Sequence, residues 1–279
     1  MAFKDILLTL TSYPEPTPVS VLEDAVSIAA TLGAHITAVA CEVHVQVPGH
    51  FLPGSIANLP GILAGEAEKS RRSAKDMLAA FDAAAAKAGV LHEIFIEKCP
   101  TFKVPDLLVD YARLRDLTLV PVPESYDQWY AEALIFGSGR PTLVLPDSPR
   151  PRPLELGTAV VAWDFSRAAA RAVSDALPLL ERARKVRVVT VTNEKILGTN
   201  RSAEELAKNL ARHGIDVLLD KVDANGRPIG EVLEAQALSH RADVLVMGAY
   251  GHARWREFIL GGATKSLLSK PPLPILFSH

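Results

Sequence analysis

The 279-residue sequence has little of the features that mark specialised classes of protein. Its two cysteines, Cys41 and Cys99, are too few for a disulfide framework or a cysteine-based metal site. Thirty basic against 32 acidic side chains leave a net charge of −2, which argues against bulk binding of nucleic acid or of an anionic membrane. No apolar run approaches the roughly 18 residues of a membrane span, and the first residues lack a signal-peptide pattern. We therefore expect a soluble, cytoplasmic globular protein.

Signs of covalent or metal chemistry are also scarce. The sequence contains neither a P-loop nor a nucleophile elbow, and its eight histidines form no cluster with metal-ligand spacing. The two cysteines follow predicted strands, so we interpret them as small buried residues, with a nucleophilic role as the alternative. The sequence therefore favours a binding function over these types of catalysis.

One pattern of strands and helices occurs twice in the chain. Matching strands are predicted at 6–10 and 159–163, 35–40 and 186–191, 92–97 and 216–221, 116–120 and 243–247, and 141–145 and 274–277. Amphipathic helices separate them, and a strand followed by a helix and another strand requires parallel pairing. We predict two tandem doubly wound α/β domains, 1–147 and 155–279, each a five-stranded, mostly parallel sheet flanked by helices. The proline-rich stretch Asp147–Pro153 joins them as an extended linker.

Parallel sheets of this kind bind ligands at the carboxyl ends of their strands, where the strand order reverses. In the second half one such end carries Asp164-Phe165-Ser166. Its carboxylate could accept a hydrogen bond from a ribose hydroxyl or an adenine amino group. The alternative is that Asp164 or Ser166 is only the N-cap of the next helix.

Another strand end runs directly into a glycine-rich loop. Gly248, Gly251 and Gly261 have the spacing G-x2-G-x9-G, and a short helix is predicted from Ala263. Glycines let the backbone approach a ligand closely, and the free N–H groups at a helix start favour an anion. Thr264 adds a hydroxyl, and the loop also contains three side chains that bear or can acquire positive charge: His252, Arg254 and Arg256. The pattern indicates a nucleotide site, with a plain glycine-rich turn as the alternative.

These features together resemble the universal stress protein family. The resemblance rests on the strand ending in Asp164, the glycine spacing and the closing strand Pro274–Phe277, and the repeat is similar to that of tandem members. It implies ATP, ADP or AMP, with or without Mg²⁺, as the ligand. Asp164 would contact the base or ribose, Val191 the adenine, Gly248 and Gly251 the ribose–phosphate path, and Gly261, Gly262, Ala263 and Thr264 the phosphates. The family has Ser or Thr where this chain has Gly262, which predicts weaker but retained binding.

The first half departs from this pattern. Thr11 stands in the place of Asp164, Pro121 in that of Gly248, and Glu124 in that of Gly251. Proline offers no N–H and glutamate repels phosphate, so we expect no nucleotide site of this type there. An insertion, Val47–Gly61, could cover a cleft or bind an apolar molecule, the alternative being a mobile surface loop.

Three functional hypotheses follow. The first is a stress-response protein that binds adenine nucleotide and acts as a sensor or through an unknown protein partner. The alternatives are a slow ATPase or phosphotransferase at the same loop, and a nucleotide-free interaction scaffold. The last strands of the two halves are expected to pair with each other as an internal pseudo-dimer, and association of two chains as a homodimer stays open.

Overall fold

The computed structural model describes residues 2–44, 59–123, 129–147, 156–193, 202–249 and 262–279. The strands are β1 Asp5–Leu10, β2 His35–His44, β3 His92–Pro100, β4 Leu117–Val122, β5 Thr142–Pro146, β6 Thr158–Ala162, β7 Lys185–Thr192, β8 Val217–Asp223, β9 Val244–Gly248 and β10 Ile275–Ser278. The helices are α1 Val19–Leu32, α2 Leu59–Ala88, α3 Val104–Arg113, α4 Trp129–Gly137, α5 Arg167–Leu180, α6 Ala203–Arg212, α7 Ile229–Ser239 and α8 Gly262–Ser269. In these described residues, no helix is both long and apolar enough to cross a bilayer.

All ten strands form one sheet in the order β3-β2-β1-β4-β5-β10-β9-β6-β7-β8. Neighbouring strands within each half are parallel, and both halves have the same internal order. The halves meet where β5 and β10 pair antiparallel, Leu276 lying opposite Leu143. The predicted α/β fold and the predicted pairing of the two last strands are both confirmed.

Helices cover both faces of the sheet. Alternate strand residues point to opposite faces, so in β1 Leu8 packs with the helices of one face and Leu7 with those of the other. One apolar cluster contains residues of α1, α2, α5 and α6, and the second contains residues of α3, α4, α7 and α8. Burial on both faces explains why the strands are nearly continuous apolar runs.

A repeated aspartate fixes the start of the first strand in each half. The Asp116 carboxylate accepts hydrogen bonds from the backbone N–H groups of Lys4 (2.8 Å) and Asp5 (3.1 Å). The Asp243 carboxylate does the same for Gly157 (2.7 Å) and Thr158 (2.9 Å). Asp116 and Asp243 are the first residues of the matched predicted strands 116–120 and 243–247, and they have the same structural role.

Several element boundaries differ from those that the sequence pattern indicates, β2 and β3 for example extending to His44 and Pro100. α2 begins at Leu59, whereas the apolar periodicity of the sequence predicts a helix from Glu66, so residues 59–61 of the predicted insertion are helical. A proline in the first helical turn loses no helix hydrogen bond, which explains why Pro60 permits this start. α5 ends at Leu180, although helical periodicity continues to Arg184, and it has Pro178 in its last turn. Most of the insertion and of the linker lies outside the described residues.

Candidate functional site

Three of the predicted site residues lie at one edge of the sheet. β6 pairs with β7 on one side and with β9 on the other, all three parallel. Asp164 follows the end of β6, Val191 lies at the end of β7, and Gly248 ends β9. The strand order of the second half reverses between β6 and β9, which is where doubly wound sheets bind ligands.

The turn after β6 is held by its own side chains. The Asp164 Oδ1 atom accepts a hydrogen bond from the Ser166 N–H (3.0 Å), and Phe165 between them has a left-handed φ of 62°. The Ser166 hydroxyl oxygen then accepts from the Ala169 N–H (3.1 Å) and caps α5. Ser166 is therefore the N-cap, and Asp164 shapes the turn that presents its carboxylate at the sheet edge.

Gly248 provides room for a helix. A Cβ atom at this position would lie 2.4 Å from the Ala168 carbonyl carbon and 2.6 Å from the Ala169 nitrogen. The start of α5 therefore packs directly on the backbone at the end of β9. This packing accounts for a glycine at position 248 without any ligand. It is also compatible with the close approach of a ligand that the sequence predicts.

Val191 is half-buried and packs with the apolar cluster of α3, α4, α7 and α8. Polar groups that the sequence analysis missed lie just beyond it, where β7 and β8 end side by side. The Asn193 amide donates to Asp223 Oδ2 (2.6 Å), and the other oxygen of Asp223 accepts from the Asn225 N–H (2.8 Å). The turn-forming sequence Asp223-Ala-Asn225-Gly was the available signal.

α8 begins at the glycine that replaces the family's Ser or Thr. Gly262 is exposed, Ala263 is half-buried, and Thr264 is only 3% exposed. A hydroxyl at position 262 would thus face solvent, whereas that of Thr264 lies in the protein interior. The other loop residues of the predicted site, Gly251 and Gly261 with His252, Arg254 and Arg256, lie outside the described residues.

The matching edge of the first half is closed by a buried hydroxyl pair. Ser12 donates to the Cys41 carbonyl and contacts the Ser70 hydroxyl (2.8 Å), which accepts from the Val43 N–H (2.9 Å). The adjacent cleft encloses about 10 Å³, room for roughly one water molecule. It is lined by Thr9, Leu10, Thr11, Ser12, Tyr13, Cys41, Val43, Val104, Leu108, Val120 and Tyr130. This cleft by itself is too small for a nucleotide.

The strand registers make Cys41 the first-half counterpart of Val191. Cys41 and Cys99 are 2% and 5% exposed, which confirms the prediction that they are buried. Burial raises the pKa of both thiols, and the nearby Glu97 carboxylate raises each further. Both cysteines are therefore protonated and unreactive at neutral pH.

Comparison with known proteins agrees with this geometry. Residues 156–279 match the sequence profile of the universal stress protein family. No curated protein showed significant similarity to the chain.

The fold is similar to that of a universal stress protein from Archaeoglobus fulgidus DSM 4304, at 14% identity and a TM-score of 0.71, over 98% of this chain and 96% of that one. A functionally unknown protein from Pseudomonas aeruginosa PAO1 is similar at 13% identity and a TM-score of 0.58, over 99% and 92% of the two chains. The second half of the chain, residues 156–279, thus matches the universal stress protein family, and the first half repeats the same fold.

Proposed function

We propose that this chain is a cytoplasmic stress-response protein that binds one adenine nucleotide, ATP, ADP or AMP, alone or with Mg²⁺. Binding takes place at the carboxyl edge of the second half and makes the protein a nucleotide-dependent sensor or partner-binding module. The observation that carries the proposal is the meeting of Asp164, Val191 and Gly248 at the ends of three neighbouring strands.

The groups at this edge suit the parts of a nucleotide. The Asp164 carboxylate can accept hydrogen bonds from ribose hydroxyls, and the half-buried Val191 offers an apolar surface to a base. The first backbone N–H groups of α8, at Gly262 and Ala263, lack partners within the helix and carry the positive end of its dipole. They favour a phosphate group, to which Gly251 and Gly261 of the preceding loop would add backbone donors.

A titration with ATP tests the proposal, with Asp164→Asn as the diagnostic variant. Asparagine retains an oxygen for the Ser166 N–H, so the turn is preserved while the negative charge is lost. A hydrogen bond to a charged group contributes about 1.5–3 kcal/mol, so the dissociation constant should rise about 10- to 150-fold.

Thr11→Val, at the equivalent position of the first half, is the matched control and should leave the affinity unchanged. Absence of saturable binding at millimolar ATP, or equal binding by Asp164→Asn and the wild type, would refute the proposed site.

A further inference from the structure

A short series of contacts connects the first half to the end of β9. The Phe136 ring, on α4, meets the His279 imidazole edge to face, with ring centroids 5.2 Å apart and planes at 81°. The imidazole Nδ1 lies 3.2 Å from the Ala249 carbonyl oxygen. A carbonyl oxygen only accepts hydrogen bonds, so Nδ1 carries the proton and donates it to this bond.

Ala249 is held on its other side as well. Its N–H donates to the Ser278 carbonyl oxygen (2.8 Å), which continues the parallel pairing of β9 with β10 by one residue. Ala249 itself is fully buried. The residue before it, Gly248, packs against the start of α5 without space for a Cβ atom. The backbone at 248–249 is therefore fixed from three directions, by α5, by β10 and by His279.

The position of this backbone matters because it belongs to the proposed site. Gly248 lies beside the end of β6, from which Asp164 is presented. β10, which holds Ala249, also pairs with β5 of the first half. Phe136 and His279 add a side-chain contact between the halves to this backbone connection.

We propose that Phe136 and His279 are positioning residues through which the first half sets the geometry at the end of β9 and so strengthens nucleotide binding in the second half. This inference rests on the proposed function. The first half thereby contributes to the site of its neighbour. Neither residue needs to touch the ligand.

Substitutions that separate the ring contact from the hydrogen bond test the inference. His279→Phe keeps an aromatic ring against Phe136 but loses the donor, while His279→Asn keeps a donor near the place of Nδ1 but loses the ring. Phe136→Leu removes the aromatic contact from the other side. Phe102→Leu, at a Phe of the first half that is 60% exposed, is the matched control.

Two readouts are needed, the dissociation constant for ATP and the hydrogen exchange of the Ala249 amide in the ligand-free protein. His279→Phe and Phe136→Leu should each weaken ATP binding about 2- to 12-fold and speed exchange at Ala249, while thermal midpoints stay near that of the control. His279→Asn should recover part of the affinity lost in His279→Phe. Combining Phe136→Leu with His279→Asn should cost less than the sum of the two.

The outcomes distinguish this inference from the proposed function. If the wild type binds ATP and the His279 and Phe136 variants bind it equally well, the positioning role is wrong and the site stands. If the wild type binds no ATP, the proposed function fails. In that case hydrogen exchange still tests the contact. Unchanged exchange of the Ala249 amide in the variants would show that Phe136 and His279 do not fix this backbone, whereas faster exchange would show that they do.

Discussion

At the scale of single residues, two glycines of the second half have opposite surroundings. A Cβ atom at Gly248 would collide with the backbone of Ala168 and Ala169, whereas one at Gly262 would meet nothing within 4 Å. The sequence predicts that both contact the nucleotide, Gly262 only through the family resemblance, and gives no sign of this difference in packing. The difference depends on where α5 crosses β9, which only the tertiary structure shows.

Gly248→Ala should therefore destabilise the protein, because either α5 or the end of β9 must shift. Overpacking of this kind costs about 1–3 kcal/mol in free energy of unfolding, measurable by urea denaturation. Gly262→Ala is the matched control, with a change within about 1 kcal/mol and a tendency to stabilise the helix. Equal stability of the two variants would contradict the packing described for Gly248.

Gly262→Ser tests the departure from the family pattern. The exposed position has room for the side chain, and a serine there would place a hydroxyl at the start of α8. One added hydrogen bond to a phosphate, at about 0.5–1.5 kcal/mol, should lower the dissociation constant for ATP about 2- to 12-fold. Weaker or unchanged binding in this variant would show that phosphate does not reach the first turn of α8.

At the scale of elements, a histidine fastens β3 to α2. His92 Nδ1 lies 2.9 Å from the Val90 carbonyl oxygen and Nε2 lies 2.9 Å from Asp82 Oδ1. Both partners are acceptors, so the doubly protonated ring satisfies both. The Val90 carbonyl, and next the Asp82 carboxylate, raise the pKa of His92 above its usual value.

A raised pKa in the folded state gives a stability contribution that is complete below about pH 6.5, the unfolded value, and is lost as the pH rises through the folded value. Asp82→Asn should thus destabilise the protein more at pH 5.5 than at pH 8.5. The difference should be at most about 1 kcal/mol, since Asp82 is largely exposed.

Asp110→Asn removes a carboxylate from an exposed ion pair with Arg113, whose charge does not titrate in this range. It should show no such pH dependence in urea denaturation. If Asp82→Asn shows no pH dependence either, the protonated, doubly hydrogen-bonded state of His92 does not stabilise the fold.

The elements themselves were largely predictable from the sequence, and the reason is physical. Strands buried on both faces appear in the sequence as short apolar runs. Helices with one apolar face appear as apolar residues at every third or fourth position. The Asn193–Asp223 contact was not predictable, because it requires knowing that β7 and β8 end at the same level. Ser166 as the N-cap of α5 was one of the stated alternatives, whereas the hydrogen bond that Asp164 accepts from the Ser166 N–H was not predicted.

At the scale of the whole molecule, three kinds of contact join the halves within the part of the chain that the structure describes. The β5–β10 pairing makes the sheet continuous, and Phe136 packs on His279 at the carboxyl edge. In addition, Arg182, just after α5, donates to the carbonyl oxygens of Thr31 and Leu32 at the end of α1, each at 3.2 Å. A cation at a helix C-terminus is favourable, because it compensates unpaired carbonyl groups and the negative end of the dipole.

The two halves share strand order but differ at the carboxyl edge, which is where doubly wound sheets bind ligands. In the first half the hydroxyls of Ser12 and Ser70 bridge β1, β2 and α2, and Pro121 of β4 stands where the second half has Gly248. The second half instead has the Asp164 turn and the exposed start of α8. This asymmetry underlies the central claim that only one half of each chain binds nucleotide.

The most direct test of that claim is the stoichiometry of ATP binding by the intact chain, measured by isothermal titration calorimetry. We predict one saturable site per chain, weakened by Asp164→Asn and unaffected by Thr11→Val. Two equivalent sites per chain, or no saturable binding at millimolar ATP, would contradict the account.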